Sequence, residues 1–388
     1  MGKGEKIKLC YVHTKPVYGD KSEFASLVPI RTAAVLKERA EVFAIFIGEV
    51  DREKLKVNGV KGYVLNDFFS KMPVIRSLVI ASLVFWIGKL RKIHIFINIW
   101  DHYLLFPIIL GARLAGSKVV ARVSGIPIGT ANQAGKLRSF RSELALFVER
   151  ASLRLADKIH VLSRSLLREY MKRGISRSRF CVISQGCNTN KFSFKEKSNN
   201  KSEKLRRILY VGRLAPKKGL IDALIAFARL VQEYDRNLRF TIVGFGPEKE
   251  KLRKLVIQLR ISDYVEFLGY VSNDDLPTIY KNSDVLVLPS LSEGLPNVVL
   301  EAQASGLVVI GTNVGAIPEL LDSGRGIVVK PRDPNAIEMA IRTVFDHNTL
   351  REDITQKARN YVVNEHSYKS VINKYLNLFE ELLGRPVQ

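Results

Sequence analysis

The second half of the chain alternates between short apolar runs and segments with helical spacing, and this pattern constrains the fold most strongly. Helical spacing is clear in 220–234 and 248–260, between runs that indicate β-strands. Strands that alternate with helices favour right-handed crossovers and a parallel sheet covered on both faces. The pattern therefore predicts a doubly wound α/β domain. Its six predicted strands are residues 207–211, 239–243, 265–268, 284–288, 307–310 and 326–329.

The first half shows the same alternation less regularly. Its predicted strands are residues 7–12, 42–47, 93–97, 118–123, 158–161 and 179–183. Residues 191–204 are rich in Lys, Ser and Asn and indicate a linker, because such a stretch has no apolar face to bury. We expect an α/β protein of two Rossmann-like domains, over 1–195 and 196–366, whose parallel sheets face each other across a cleft. A C-terminal helix in 367–388 is expected to return to the first domain.

Positive charge is concentrated in the first half. The chain has 61 Lys and Arg against 38 Asp and Glu, a formal net charge of +23. Residues 1–195 contain 34 of these basic residues and 14 of the acidic ones, a net charge of +20. This asymmetry indicates an anionic partner: a phospholipid surface, a phosphorylated acceptor or nucleic acid. A general contribution to solubility is the alternative, although it rarely places nearly all the excess in one half.

An apolar segment in the first half suggests two different environments. Residues 77–88 are uncharged and mostly apolar, but a membrane-spanning helix needs about 20 such residues. The segment is either a helix buried in the core or an interfacial helix, with Phe85 and Trp86 among lipid headgroups and basic flanks on anionic lipid. The flanking basic residues are Lys71, Arg76, Lys89, Arg91 and Lys92.

The sequence also predicts a cellular location. No secretory signal precedes the first predicted strand, and Cys10, Cys181 and Cys187 lack the spacing of metal ligands. Such cysteine usage suits a reducing compartment. We therefore expect a cytoplasmic protein, associated peripherally with the inner face of the membrane.

Two cations follow the first strand of the predicted second domain. The segment from Gly212 to Gly219 contains Arg213 and Lys218. Its glycines let the backbone approach a ligand, and its cations suit a diphosphate, since Arg makes bidentate contacts and Lys supplies a point charge. An ordinary strand-to-helix turn is the alternative, and this loop alone does not separate the two.

Two carboxylates follow the strand predicted at 284–288. Glu293 lies on a loop, and Glu301 lies eight residues later in a helix that Pro296 is suited to start. This loop and helix N-terminus would present backbone N–H groups at the carboxyl end of a strand, where open α/β sheets bind phosphorylated ligands. A helix cap with one solvated glutamate is the alternative. The loop between the carboxylates contains Gly294, Leu295, Pro296 and Asn297.

Further glycine loops follow the neighbouring strands. Glycine at a strand end allows close approach by a ligand, although the missing third glycine of a dinucleotide fingerprint disfavours a nicotinamide cofactor. Five such loops at one sheet edge predict a single ligand-binding rim. The additional rim residues are Gly244, Phe245, Gly246, Gly269, Tyr270 and residues 313–319.

In this order the motifs resemble the retaining GT-B glycosyltransferases of family 4, the glycosyl transferases group 1. The matching motifs are GRL-x-x-x-KG, VG-x-GP, FLGYV, EGLPNVVLEAQASG and GAIPELL. The resemblance is strong over 206–330, weaker through 156–163 and 185–192, and limited to general layout in the first 150 residues. It implies a GT-B fold and transfer of a sugar from a UDP- or GDP-sugar with retention of anomeric configuration.

The resemblance also implies roles for individual residues. Arg213 and Lys218 match the pair that holds the donor diphosphate and stabilises the departing nucleotide. Glu293 matches the carboxylate that contacts the donor sugar, and Glu301 matches the one that hydrogen-bonds the ribose hydroxyls. Together with Glu301, the implied donor-binding residues are Gly212, Gly244, Phe245, Gly246, Gly269, Tyr270, Gly294, Leu295, Pro296 and Asn297.

The expected chemistry uses neither a metal nor a cofactor. Two cations and a helix N-terminus at the β-phosphate would stabilise the charge that builds there as the nucleotide departs. The rim sequence contains no Asp-x-Asp cluster or His-rich ligand set. The nucleotide-diphosphate sugar is therefore expected as a co-substrate. The resemblance implies front-face attack in a loose ion pair, with the phosphate accepting the acceptor's proton.

The acceptor side departs from the family pattern. Many relatives have a His where this chain has Ser124, and the usual Gly-Gly loop is replaced by residues 13–20, which include Gly19. Ser124, Gly19, Asp101 and His102 are the acceptor-site candidates, with Asn98 nearby, although a lone His beside an aromatic is more often structural. The basic first half favours a lipid-linked or cell-surface glycan as acceptor, and a soluble glycan or small molecule stays open.

Two other functions fit part of the pattern. A GT-B epimerase acting on a UDP-sugar shares the fold and needs no separate acceptor. A nucleic-acid-binding protein would explain the charge, but the first half has no nucleic-acid motif and the rim would have no role. We therefore expect as partners a nucleotide sugar, a glycan or lipid-linked acceptor and an anionic membrane surface, and no nucleic acid.

Overall fold

A computed structural model describes residues 6–13, 36, 40–47, 61–65, 72–99, 104–123, 140–193 and 206–384. The chain divides into two compact units. The first comprises Met1–Gln185 and Val371–Gln388, and the second comprises Gly186–Ser370. Each unit is built on one parallel sheet.

Before the second unit, the described residues of the first unit include seven strands and four helices whose bounds are known. The strands are β1 (Ile7–His13), β2 (Ala40–Ile47), β3 (Lys61–Leu65), β4 (Ile95–Ile99), β5 (Lys118–Val123), β6 (Lys158–Val161) and β7 (Phe180–Val182). The described helices are α1 (Pro73–Arg91), α2 (Leu105–Ala115), α3 (Phe140–Leu155) and α4 (Arg164–Met171). The strand order is β3-β2-β1-β4-β5-β6-β7. Central strands such as β4 are buried throughout, as expected for a parallel sheet covered on both faces.

The second unit contains six strands and seven helices among its described residues. The strands are β8 (Arg206–Val211), β9 (Leu238–Val243), β10 (Val265–Gly269), β11 (Val285–Leu288), β12 (Val308–Thr312) and β13 (Ile327–Val329). The helices are α5 (Leu220–Glu233), α6 (Lys249–Gln258), α7 (Leu276–Lys281), α8 (Asn297–Ala304), α9 (Ile317–Leu321), α10 (Pro334–Asp346) and α11 (Asn348–Tyr361). The strand order is β10-β9-β8-β11-β12-β13. The prediction of two doubly wound parallel sheets is confirmed.

The chain reverses its direction across the second sheet between β8 and β11. Strands β8 to β10 follow one another towards one edge, and β11 to β13 follow one another towards the other. Open α/β sheets bind ligands outside the carboxyl ends of the strands at such a switch point. The loops that follow β8 and β11 therefore mark the place to look for a site.

The C-terminal helix α12 (Tyr368–Leu383) packs on the first sheet. Its buried side chains belong to the same apolar cluster as Leu9 on β1 and Val120 on β5. Burial of this helix face completes one side of the first sheet. The buried residues of α12 are Val371, Tyr375, Leu378 and Phe379.

A buried histidine connects β6 to α12. His160 Nε2 lies 2.6 Å from the Ile183 carbonyl oxygen, and Nδ1 lies 3.4 Å from the Tyr375 hydroxyl. Burial, with a smaller contribution from the charge of Arg122, lowers the pKa of His160 to about 3. The imidazole is therefore neutral near pH 7. Its Nε2–H donates to the carbonyl, and its Nδ1 accepts from the tyrosine.

The predicted linker starts too early. Phe192 is buried against Tyr280, with ring centroids 5.6 Å apart, and its carbonyl accepts a hydrogen bond from Arg359. Lys191 forms an ion pair with Asp274. Because the ring of Phe192 packs in the second unit, the first residues of the predicted linker belong to that unit. Residues 194–205 lie outside the described residues.

Candidate active site

The loops after β8 and β11 touch through a glycine. Gly219 has φ +64°, and a Cβ at this position would lie 2.0 Å from the Pro289 carbonyl oxygen. The Leu291 N–H donates to the Lys217 carbonyl oxygen over 2.8 Å. Only glycine combines this left-handed conformation with such close backbone approach. The contact brings together the two loops at the switch point of the second sheet.

An ion pair crosses the same junction. Lys218 Nζ lies 2.5 Å from Glu293 Oε1, and the Ser290 hydroxyl donates to that oxygen over 2.7 Å. The Lys218 and Glu293 side chains are 17% and 9% exposed. Partial burial strengthens the attraction between the two charges relative to a surface pair. The Glu293 carboxylate is therefore held from both loops.

Arg213 is a second cation on the loop that carries Lys218. Its side chain is exposed, and its carbonyl oxygen accepts a hydrogen bond of 3.0 Å from the Tyr210 hydroxyl. Burial, followed by the negative charge of Glu293, raises the pKa of Tyr210, so this hydroxyl stays protonated as a donor. Within the described part of the chain, the Arg213 guanidinium makes no ion pair. This exposed guanidinium carries five N–H donors that could bind an anionic ligand.

Glu301 is held by a tyrosine that the sequence analysis did not identify. The Tyr280 hydroxyl on α7 donates to Glu301 Oε2 over 3.0 Å. Burial and the neighbouring Glu301 carboxylate raise the pKa of Tyr280 well above its ordinary value. The hydroxyl therefore remains a hydrogen-bond donor that orients Glu301 on α8.

The start of α8 differs slightly from the prediction. Pro296 is the N-cap residue, with φ −80° and ψ 114°, and the helix begins at Asn297. The extended ψ of Pro296 keeps it outside the first turn. The preceding Gly294 carbonyl oxygen accepts a hydrogen bond of 3.0 Å from the Ala316 N–H, which joins the loops after β11 and β12. Leu295 packs against the apolar core of the unit.

The glycine loops after β8, β9 and β10 lie side by side. Gly244 has φ +134°, and a Cβ there would lie 1.9 Å from the Gly212 carbonyl oxygen. The Gly244 N–H donates to the Gly269 carbonyl oxygen over 2.7 Å. The Phe245 and Tyr270 ring centroids are 6.4 Å apart, tilted by 56°. The three loops thus form a continuous backbone surface with two aromatic rings.

The structure brings the predicted donor residues to one edge of the second sheet. They lie on the loops that follow β8 to β11, apart from Gly269 at the end of β10 and Asn297 and Glu301 in α8. Gly246 joins this group beside Gly244. The acceptor candidates Gly19, Asp101, His102 and Ser124 lie outside the described residues.

Arg122 is a further residue that the sequence analysis did not assign to a site. It is buried at the carboxyl end of β5, and among the described residues its Nε and Nη1 have no hydrogen-bond partner. The signal was a charged residue in the interior of a strand whose other charged residue, Lys118, lies at its exposed start. Tyr280 had no such signal, because it reaches Glu301 from another helix. Ser290 had none either, because serine is an ordinary loop residue and its contact with Glu293 depends on the conformation of the loop.

Comparison with known proteins agrees with this architecture. Residues 191–361, within the second unit, match the family model Glycosyl transferases group 1. An uncharacterized glycosyltransferase of Methanocaldococcus jannaschii is 32% identical over 184 residues, which are 46% of this chain and 47% of that protein. A putative colanic acid biosynthesis glycosyltransferase, WcaL of Salmonella typhimurium, is 30% identical over 184 residues, which are 45% of each chain. The matched region thus spans about half the length of these two curated relatives.

The similarity of fold extends over nearly the whole chain. The crystal structure of Anabaena HepE in complex with UDP matches 97% of this chain and 100% of that chain, with a TM-score of 0.79 and 15% identity. At this identity the match establishes the fold. Two parallel α/β sheets, the ordered motifs of the second unit and the family match lead to one conclusion. The chain has the GT-B fold, and its residues 191–361 match the glycosyl transferases group 1, the glycosyltransferases of family 4.

Proposed function

We propose that this glycosyltransferase moves a sugar from a nucleotide-diphosphate sugar to an acceptor hydroxyl, with retention of configuration and without a metal. The observation that carries the proposal is the ion pair between Lys218 and Glu293 at the switch point of the second sheet. It joins a cation suited to phosphate with a carboxylate suited to sugar hydroxyls.

Donor binding in this proposal exchanges partners within the site. The diphosphate takes Lys218 and Arg213, and Glu293 is released to accept a hydrogen bond from a sugar hydroxyl. Ser290 continues to donate to Glu293, so the carboxylate keeps its orientation. Glu301, oriented by Tyr280, accepts from the ribose hydroxyls. The base lies at the loops that contain Gly244, Phe245, Gly246, Gly269 and Tyr270.

The transfer step needs no protein nucleophile. The bond between the anomeric carbon and the β-phosphate oxygen breaks, and its electron pair remains on that oxygen. Lys218 and Arg213 stabilise the resulting negative charge, which is greater in the transition state than in the bound donor. The acceptor hydroxyl forms the new bond on the same face of the sugar, and its proton passes to the departing phosphate.

A UDP-sugar is the proposed donor, and a lipid-linked or cell-surface glycan is the proposed acceptor. The UDP complex of HepE supports the choice of nucleotide. The excess of basic residues in 1–195 supports an anionic, lipid-linked acceptor bound by the first unit, and the name of the Salmonella relative supports a cell-surface glycan. The second unit then binds the donor.

Neighbouring lysines provide the test of the donor site. Lys218→Ala removes a charge-assisted contact of roughly 1.5–3 kcal/mol. We therefore expect UDP to bind at least about tenfold more weakly in calorimetric titrations. Lys217→Ala removes the same charge from the exposed adjacent position and should leave binding unchanged.

Two results would contradict the proposal. In the first, Lys218→Ala protein binds UDP, and also GDP, as tightly as wild-type protein does, which would mean that Lys218 does not contact the diphosphate. Conversion of a UDP-sugar to its epimer without an acceptor would instead identify an epimerase.

A further inference from the structure

Helices α1 and α2 form one layer on the first sheet. Ile80 and Val84 of α1 and Ile108 of α2 are buried in the same apolar cluster as Phe96 of β4. The two helices touch each other, because a Cβ on Gly111 would lie 2.2 Å from the Ala81 carbonyl oxygen. Their opposite faces therefore point away from the sheet on the same side.

These outward faces are apolar rather than polar. The exposed apolar side chains of α1 recur every four residues, with Ser82 filling one position, and those of α2 also recur every four residues. Each set therefore forms a stripe that winds gradually around the exposed side of its helix. Single exposed apolar residues are ordinary, but a continuous patch of this kind indicates an interaction surface. The docking face comprises Val74, Leu78, Trp86 and Leu90 of α1 and Phe106, Leu110 and Leu114 of α2, which are 44% to 74% exposed.

The charged residues within the two helices have one sign. Neither α1 nor α2 contains Asp or Glu, whereas α1 contains Arg76, Lys89 and Arg91 and α2 contains Arg113. The partner is therefore both apolar and anionic. A second copy of the same face would bring like charges together, which disfavours self-association.

The face is suited to the membrane interface. No helix among the described residues has both the length and the apolar character needed to cross a bilayer. A two-helix face can instead lie in the interface plane with its apolar side chains at the headgroup and acyl boundary. Trp86 suits this depth because its ring is apolar and its indole N–H is polar.

We propose that the outward face of α1 and α2 docks on anionic phospholipid, inserting its apolar side chains between headgroups that the basic residues contact. Within residues 77–88, Ile80, Val84 and Ile87 are core residues, as the first sequence interpretation expects. Trp86 is exposed and Phe85 is partly buried, so Trp86 is the residue of this segment that the proposed interface uses. The stripe on α2 extends the face beyond that segment. The proposal is independent of the donor chemistry.

Vesicle flotation tests the docking face. We expect the wild-type protein to float with vesicles of phosphatidylcholine and phosphatidylglycerol, and much less with phosphatidylcholine alone. The double variant Leu78→Ser, Leu110→Ser should partition about tenfold more weakly or worse, because two inserted apolar side chains are lost. The matched control, Ile257→Ser with Met339→Ser, changes side chains of the second unit that are 67% and 68% exposed, and should float like wild type.

A second measurement distinguishes insertion from loose adsorption. Brominated phospholipid should quench the tryptophan emission of wild-type protein, and Trp86→Phe should remove most of this quenching. UDP titration of the same samples separates this proposal from the donor assignment and shows that each variant is folded.

Three results would overturn the docking proposal. The double variant could float as well as wild type, or the Ile257 and Met339 control could lose flotation to the same extent as the double variant. Wild-type protein could fail to float with anionic vesicles at low salt. Finally, the protein could form a dimer in sedimentation that the double variant loses, without binding vesicles, which would identify a second copy as the partner.

Discussion

At the scale of single residues, the proposed donor site depends on side chains that hold other side chains. Ser290 and Tyr280 each donate to a carboxylate that the motif predicts, but neither belongs to the motif. Motif residues could be predicted because their types suit a phosphate or a sugar. Their partners could not, since Tyr280 reaches Glu301 from another helix and sequence spacing gives no indication of that contact.

Tyr280→Phe tests this supporting role. The change removes one hydrogen bond to Glu301, of about 0.5–1.5 kcal/mol, and keeps the ring that packs on Phe192. We expect UDP affinity to fall roughly two- to tenfold, with little change in kcat at saturating donor. The control is Tyr234→Phe, whose hydroxyl donates to Asp346. Equal losses in both variants would refute a specific role for Tyr280.

His160 should make stability depend on pH. Its pKa is about 3 in the folded protein, against an ordinary value of about 6.5, so the unfolded chain binds an additional proton below pH 6.5. The contribution is absent above pH 6.5 and reaches about 2 kcal/mol of destabilisation at pH 5. His160→Gln should therefore lose less thermal stability than wild type between pH 7 and pH 5. If the melting temperatures of wild type and His160→Gln fell by the same amount between pH 7 and pH 5, His160 would not be the cause of the pH dependence.

At the scale of elements, twelve of the thirteen described strands could be predicted. The predicted strands agree with the observed ones to within two residues at either end, because buried parallel strands are apolar runs. β3 was missed: it lies at the sheet edge and begins with Lys61 and Gly62, which strands generally disfavour. The exposed stripe of α1 was also not predictable, because an uncharged apolar run does not indicate which face packs on the sheet.

Gly219 provides a test at the junction of two elements. Gly219→Ala would place Cβ 2.0 Å from the Pro289 carbonyl oxygen and force apart the loops that carry Lys218 and Glu293. Gly116→Ala has the same type of backbone strain, with φ +82°, but open space around Cβ. Both should lose about 1 kcal/mol of stability from the left-handed conformation. Only Gly219→Ala should also lose UDP affinity, and retention of that affinity would contradict the assigned junction.

At the scale of the whole molecule, each unit has its own sheet and apolar core. We therefore expect scanning calorimetry to resolve two unfolding transitions. Saturating UDP should raise the transition of the second unit and leave the other in place, because a ligand stabilises only the fold that binds it. Lys218→Ala should reduce this shift. If UDP raised only the transition of the first unit, the nucleotide would bind the first unit and not the second.

The packing of α12 has a consequence for the order of events on the ribosome. Residues Gly186–Ser370 form one uninterrupted stretch and have their own core, so this unit can fold as soon as it has emerged. The first sheet is synthesised earlier, yet one of its faces stays incomplete until Val371, Tyr375, Leu378 and Phe379 arrive. The half of the protein that is made first is therefore the last to finish folding, and its apolar surface is exposed to chaperones throughout the synthesis of the other half.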